Sequence, residues 1–124
     1  MIRHGWVLAL LLFLAMLPLS FRHRCPEAEV VKVVDGDTLK VIFKGRTEYV
    51  RLAGLDAPSL KEARGKEARD LLSRLCPVGS TVRLQISGRD VYNRLLATVY
   101  NENGVNVNRR LLEENLAVPF CRPR

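Results

Sequence analysis

The chain has 124 residues, with 20 Lys or Arg against 13 Asp or Glu and a formal net charge of +7. That length has room for one domain with a modest core. Its two histidines, His4 and His23, lie in or beside the first two dozen residues, and no CxxC pair occurs, which argues against a zinc centre and a histidine-based catalytic triad.

Arg3 and His4 precede an almost purely apolar run from Trp6 to Ser20. A basic start followed by such a run is the layout of an export signal, and it is shorter than the ~20 residues that span a bilayer comfortably. Arg22 and Arg24 follow without a clean small-x-small cleavage site, so an uncleaved anchor stays open beside a secreted or periplasmic product. Residues 1–24 are therefore expected to be a signal peptide or membrane anchor, touching the membrane through residues 6–21 if uncleaved, and 25–124 the domain. Three of the basic residues fall in the leader, leaving 17 against 13 and a net +4 on the domain. That balance suits a polyanionic partner but is equally common on a solvated surface. Cys25, Cys76 and Cys121 make an odd number, which in an exported chain suggests one disulfide and one free thiol. Cys25 and Cys121 flank the domain, and a bond between them would staple its ends.

From Glu29, EVVKVV, then DTLKVIF after Asp35-Gly36, then TEYVRLAG after a turn at Lys44–Arg46 predict a meander of three strands. Ala68, Leu71, Leu72 and Leu75 fall at helical spacing and predict a helix over 63–75, ended by Cys76-Pro77-Val78-Gly79. TVRLQIS (81–87) and LLATVY (95–100) predict two further strands. Val107 to Glu114 predicts a second helix, with Asn106 as N-cap and Asn115 as its left-handed C-terminal residue. Three strands, a helix, two strands and a helix suit a small closed five-stranded sheet, mainly β, with helices packed on it.

The hairpin centred on Lys44-Gly45 places Asp37 across from position 52 or 53. Asp37 starts the second strand and Asp56 follows the third, so both carboxylates arrive at one end of the hairpin. Two carboxylates with nearby backbone carbonyls form an oxygen-only site suited to Ca2+ or Mg2+. Arg51 points toward the same region, its face shared with Ala53. Taken singly these are ordinary features: a turn Asp-Gly, a solvent-facing strand arginine, and a strand stop at Asp56-Ala57-Pro58.

Together they are more specific. VVDGDTLKV, RLAGLDAP, GKEA at 65–68, YNRLLA at 92–97 and VNRRLLEENLA at 107–117 occur in an order and spacing that resemble the staphylococcal nuclease-like (thermonuclease) family over about residues 28–119. The resemblance implies a five-stranded OB-fold barrel. It also implies hydrolysis of DNA or RNA phosphodiesters with Ca2+ as the usual ion, Mg2+ being an alternative, in a protein expected to be monomeric. Position by position, Asp37 and Asp56 match the family's metal carboxylates, and Ala57 stands where a backbone carbonyl reaches the metal. Arg51 and Arg94 match the two catalytic arginines, and Tyr92 an aromatic beside the nucleotide.

Ser59 departs from the pattern, because the family reads D-x-P-E and this chain reads Asp56-Ala57-Pro58-Ser59. A serine hydroxyl is no base at neutral pH. Either Glu62 substitutes, or a bound metal acidifies the attacking water and Ser59 only hydrogen-bonds it. A slow nuclease is expected, with a non-catalytic nucleic-acid-binding barrel as the alternative and an envelope protein-interaction domain as a weaker third. Asn93 replaces a usual glycine, compatibly with a left-handed turn. The sequence closes on PFCRPR, before the tyrosines that some members carry; Phe120 is expected in the core, with a stacking role in place of those tyrosines as the alternative.

Overall fold

The computed structural model describes residues 25–120; the leader and Cys121, and with it the expected Cys25–Cys121 pairing, lie outside them. Five strands close into a barrel in the order β1-β2-β3-β6-β5, with β1 at Glu27–Asp35, β2 at Thr38–Phe43, β3 at Arg46–Leu52, β5 at Thr81–Arg89 and β6 at Leu95–Tyr100. Helix α1 spans Ala63–Leu75 and α2 spans Val107–Glu113. The expected mainly-β barrel with helices packed on it is what the chain forms.

Closure depends on β1 pairing with both β2 and β5. Register shifts at Val30/Lys32 and Val33/Asp35 bend the strand around the barrel. The inward row is aliphatic and β-branched: Val30, Leu39, Val41, Val50, Leu52, Val82, Leu84 and Val99 are all fully buried. Alternation places these side chains on one face, and the barrel interior removes them from water. Leu72 of α1 and Leu111 of α2 are as deeply buried and close the core from outside the strands. Cys76, at the end of α1, is buried too, and burial pushes its thiol up to about 12.

Two features go beyond the strand pattern of the sequence. The contact that closes β3 on β6 is parallel, pairing Val50 with Leu95, Arg51 with Leu96 and Leu52 with Ala97. A second, two-stranded ladder joins β4 (Leu55–Asp56) to β7 (Val118–Pro119). It fixes the segment after α2 beside the hairpin mouth, and the Phe120 N–H donates to the Gly54 carbonyl at 2.9 Å. This pairing holds Phe120 out of the core, contrary to expectation, and leaves it 45% exposed.

Helix α1 also sets the shape of the loop after β4. A Cβ on Gly36 would sit 2.5 Å from the Ala68 Cβ and 2.9 Å from the Ala57 Cβ, and one on Gly65 would overlap the Ser59 carbonyl. The small residues of GKEA therefore let the helix press against the 57–59 loop and the β1–β2 turn. Asn106 caps α2 by accepting from the Arg109 N–H at 3.0 Å, and Asn115 takes the left-handed conformation with φ 56.

Candidate nuclease site

Asp37 occupies the two-residue turn between Asp35 and Thr38, which pair directly. The β2–β3 register runs from Phe43↔Arg46 to Thr38↔Arg51, and the Leu52 N–H donates to the Asp37 carbonyl at 2.8 Å. The carboxylate is nearly buried and its contacts knit the mouth together. Its Oδ1 accepts from the Thr38 hydroxyl at 3.0 Å, and its Oδ2 accepts from the Ala57 N–H at 2.9 Å. Asp35 supports the turn by accepting from the Asp37 N–H at 3.0 Å. Burial, together with the adjoining Asp37 carboxylate, pushes the Asp35 carboxyl above its ordinary value.

Arg51 stands between the carboxylates. Its Nη1 donates to the carbonyls of Leu52 at 3.1 Å and Leu55 at 3.0 Å and lies 3.3 Å from Asp37 Oδ2. Its Nη2 donates to Asp56 Oδ1 at 2.9 Å. The guanidinium is thus a planar fork fixed by four oxygens, which fits Arg better than Lys. Asp56 differs from Asp37 in being open to solvent, with its side chain 56% exposed.

Arg94 precedes β6, so the parallel β3–β6 pairing brings it beside Arg51 although 43 positions separate them. Both arginines line one cleft of about 320 Å3, with Gly54, Ser87, Asp90 and Phe120. Tyr92 is exposed on the same loop, its ring centroid 5.3 Å from the Arg94 guanidinium carbon, within cation–π range. A second cleft of about 390 Å3 holds Asp56, Ala57, Glu62, Arg64 and Asn115. Glu62 therefore shares a wall with Asp56. Ser59 lines neither cleft; it is exposed, and its hydroxyl accepts from the Lys61 N–H at 3.3 Å.

Asp90 is the site residue that sequence reasoning missed. Its side chain is fully buried, and Oδ2 accepts from Arg94 Nε at 2.7 Å. Oδ1 accepts from the N–H groups of Tyr92 at 3.0 Å and Arg94 at 2.9 Å. Burial alone would raise the Asp90 carboxyl, but these bonds and the Arg94 charge outweigh it and hold the group below its ordinary value. The available signal was an Asp three residues before a left-handed Asn, whose φ of 64 completes the turn.

Among the described residues no group of three or more His, Cys, Asp or Glu side chains converges as a metal cluster. Asp37 and Asp56 are the carboxylates at this mouth, bridged by Arg51, and the Ala57 N–H donates to Asp37 Oδ2. Hard oxygen donors of this kind suit Ca2+ or Mg2+ in general, while here Arg51 engages an oxygen of each carboxylate.

The chain matches the family described as Staphylococcal nuclease homologue over residues 49–123. It is 36% identical over 88 residues to an Escherichia coli protein named "Uncharacterized endonuclease", covering 71% of this chain and 57% of that one. A Haemophilus influenzae protein of the same name is 40% identical over 89 residues, covering 71% and 49%. A Shigella flexneri protein named "Micrococcal nuclease" is 33% identical over 99 residues, covering 72% and 55%. The chain spans about half the length of these curated relatives.

Proposed function

The chain belongs to the staphylococcal nuclease homologue family, and on that premise we propose that it hydrolyses phosphodiester bonds of DNA or RNA with the help of a Ca2+-like ion. The observation that carries this reading is the placing of Arg51 and Arg94 in one cleft, with Arg51 bonded to Asp56 and beside Asp37. Binding a polyanion by charge alone does not require a fork fixed by four oxygens at a cleft wall.

Asp37, Asp56 and the Ala57 carbonyl would hold the ion, with Mg2+ as the alternative; when bound, it neutralises phosphate charge and acidifies a water. The two arginines supply the rest of the electrostatics. Arg51 and Arg94 donate to the phosphoryl oxygens as charge spreads over them during in-line attack by water. Tyr92, beside the Arg94 guanidinium, and Phe120, in the wall of the cleft, are both exposed and would offer apolar faces to the sugar and base. Glu62, which lines the second cleft with Asp56, would stand in for the absent base, or the bound ion would acidify the water without one. Ser59 offers only a hydroxyl, and loss of a general base costs ~10²–10⁴ in rate, so slow turnover is expected. We also propose that residues 1–24 direct the chain to export or hold it at a membrane.

The second reading, a nucleic-acid-binding barrel without cleavage, draws on Ser59 alone. Incubating the full chain with labelled single-stranded DNA and RNA, in Ca2+ or in chelator, separates the two. Metal-dependent cleavage supports the nuclease; retention of intact strands in both conditions would leave the binding barrel.

A further inference from the structure

The loop carrying Tyr92 and Arg94 has a second anchor that the proposed chemistry does not use. Arg89, the last residue of β5, makes a two-toothed ion pair with Glu48 of β3, at 3.0 Å from Nη1 to Oε2 and 2.8 Å from Nη2 to Oε1. The same Nη1 donates to the Asn93 carbonyl at 2.8 Å. Glu48 is 17% exposed, and the Arg89 hydrogen bonds hold its carboxyl below its ordinary value. Most surface ion pairs contribute little because two long side chains must be ordered for a solvent-screened attraction. Here the guanidinium planes onto the carboxylate and then spends a further donor on backbone, which fixes a peptide and not merely a partner side chain.

Position gives the contact its meaning. Asn93 carries the positive φ on which the loop turns, and its carbonyl adjoins the peptide nitrogen of Arg94. Glu48 belongs to the strand that carries Arg51 three residues later. The chain Glu48–Arg89–Asn93 therefore ties the Arg94 loop to the Arg51 strand across β6.

We infer that Glu48 and Arg89 are positioning residues that set the separation of Arg51 and Arg94 across the cleft, a role that rests on the phosphodiesterase reading of those two arginines. Neither touches substrate. Asp90 orients the Arg94 side chain from within the loop, and the Glu48–Arg89 clamp orients the loop on the barrel. Loosening it leaves both arginines present and misplaces one of them.

The test uses the full chain with Glu48→Gln, Arg89→Met, and the reversed pair Glu48→Arg with Arg89→Glu. Steady-state cleavage and amide hydrogen exchange are measured on each, beside Arg51→Ala. Either single variant is expected to lower kcat about 10-fold with KM little changed, and to speed exchange at Tyr92 and Arg94 while Leu84 and Val99 in the barrel stay protected. The reversed pair restores opposite charges but leaves no donor at position 89 for the Asn93 carbonyl. It is expected to recover melting temperature without recovering kcat or loop protection. Wild-type kcat and wild-type exchange in Glu48→Gln would overturn the clamp, as would full recovery by the reversed pair. Cleavage that survives Arg51→Ala would instead sink the phosphodiesterase reading, and loop exchange, which needs no substrate, would still decide whether the clamp orders the loop.

Discussion

Arg51 and Arg94 line one cleft, yet they are held there by different means. Arg51 is fixed by its own hairpin: two carbonyls and two carboxylates, all within the 37–56 stretch, receive its donors. Arg94 is fixed by side chains, a buried Asp90 in its own turn and a loop tethered through Arg89 to Glu48 on another strand. The first arrangement follows from strand register and has helix α1 packed behind it. The second relies on charge-assisted bonds at the surface of the barrel. Backbone register makes the Arg51 side robust, whereas the Arg94 side depends on each polar partner.

Substitutions can break that contrast. Arg51→Ala carries the largest expected effect, a loss of cleavage of at least ~10²-fold with the barrel intact. Circular dichroism alongside cleavage rates checks it, and unchanged cleavage would remove Arg51 from the chemistry. Ser59→Glu is next, with a gain of about 10²-fold in single-turnover rate if the missing base limits the reaction. No gain would leave that role to Glu62, where Glu62→Gln would then abolish activity.

Asp90→Asn attacks the side-chain-held region. The amide has one oxygen where the carboxylate had two, so with that oxygen kept on the two N–H groups its NH2 faces Arg94 Nε, at a cost of about 2 kcal/mol in urea unfolding. The effect is pH-dependent in a set direction. The folded-state value lies below the ordinary 3.8, so the contribution of this carboxylate is complete above 3.8 and is lost as pH falls through the lowered value. Wild type and Asp90→Asn should therefore converge in stability in strong acid and separate on the neutral side; parallel curves would contradict the ion pair. Gly65→Ala tests the packed region and is the smallest change. Overlap with the Ser59 carbonyl costs about 2–3 kcal/mol, and helix propensity returns about 1. A net loss near 1.5 kcal/mol should appear in thermal melts, and a more stable variant would show that the 57–59 loop yields.

The same contrast governs what could be read before folding. Hairpin symmetry about Lys44-Gly45 is enough to put Asp37 opposite position 52 or 53, and helical spacing is enough for α1, because both are local. The parallel closure of β3 on β6 leaves no trace in alternation, so only resemblance could bring Arg94 to Arg51. Glu48 and Arg89 are ordinary charged residues in their strands until 41 positions of chain are folded between them. Phe120 reads as core from its hydrophobicity; only the two-residue ladder of β4 with β7, too short to carry a pattern, places it at the cleft.

The parallel seam between β3 and β6 has one more consequence, which concerns time. Pairing across that seam closes a loop of more than forty residues, the kind of contact that forms late because chain entropy must be spent before it returns anything. Until it forms, a collapsing chain carries both arginines and both carboxylates without a cleft between them. On the nuclease reading, cleavage during refolding should therefore lag behind the growth of secondary structure and would time the moment at which the two arginines meet.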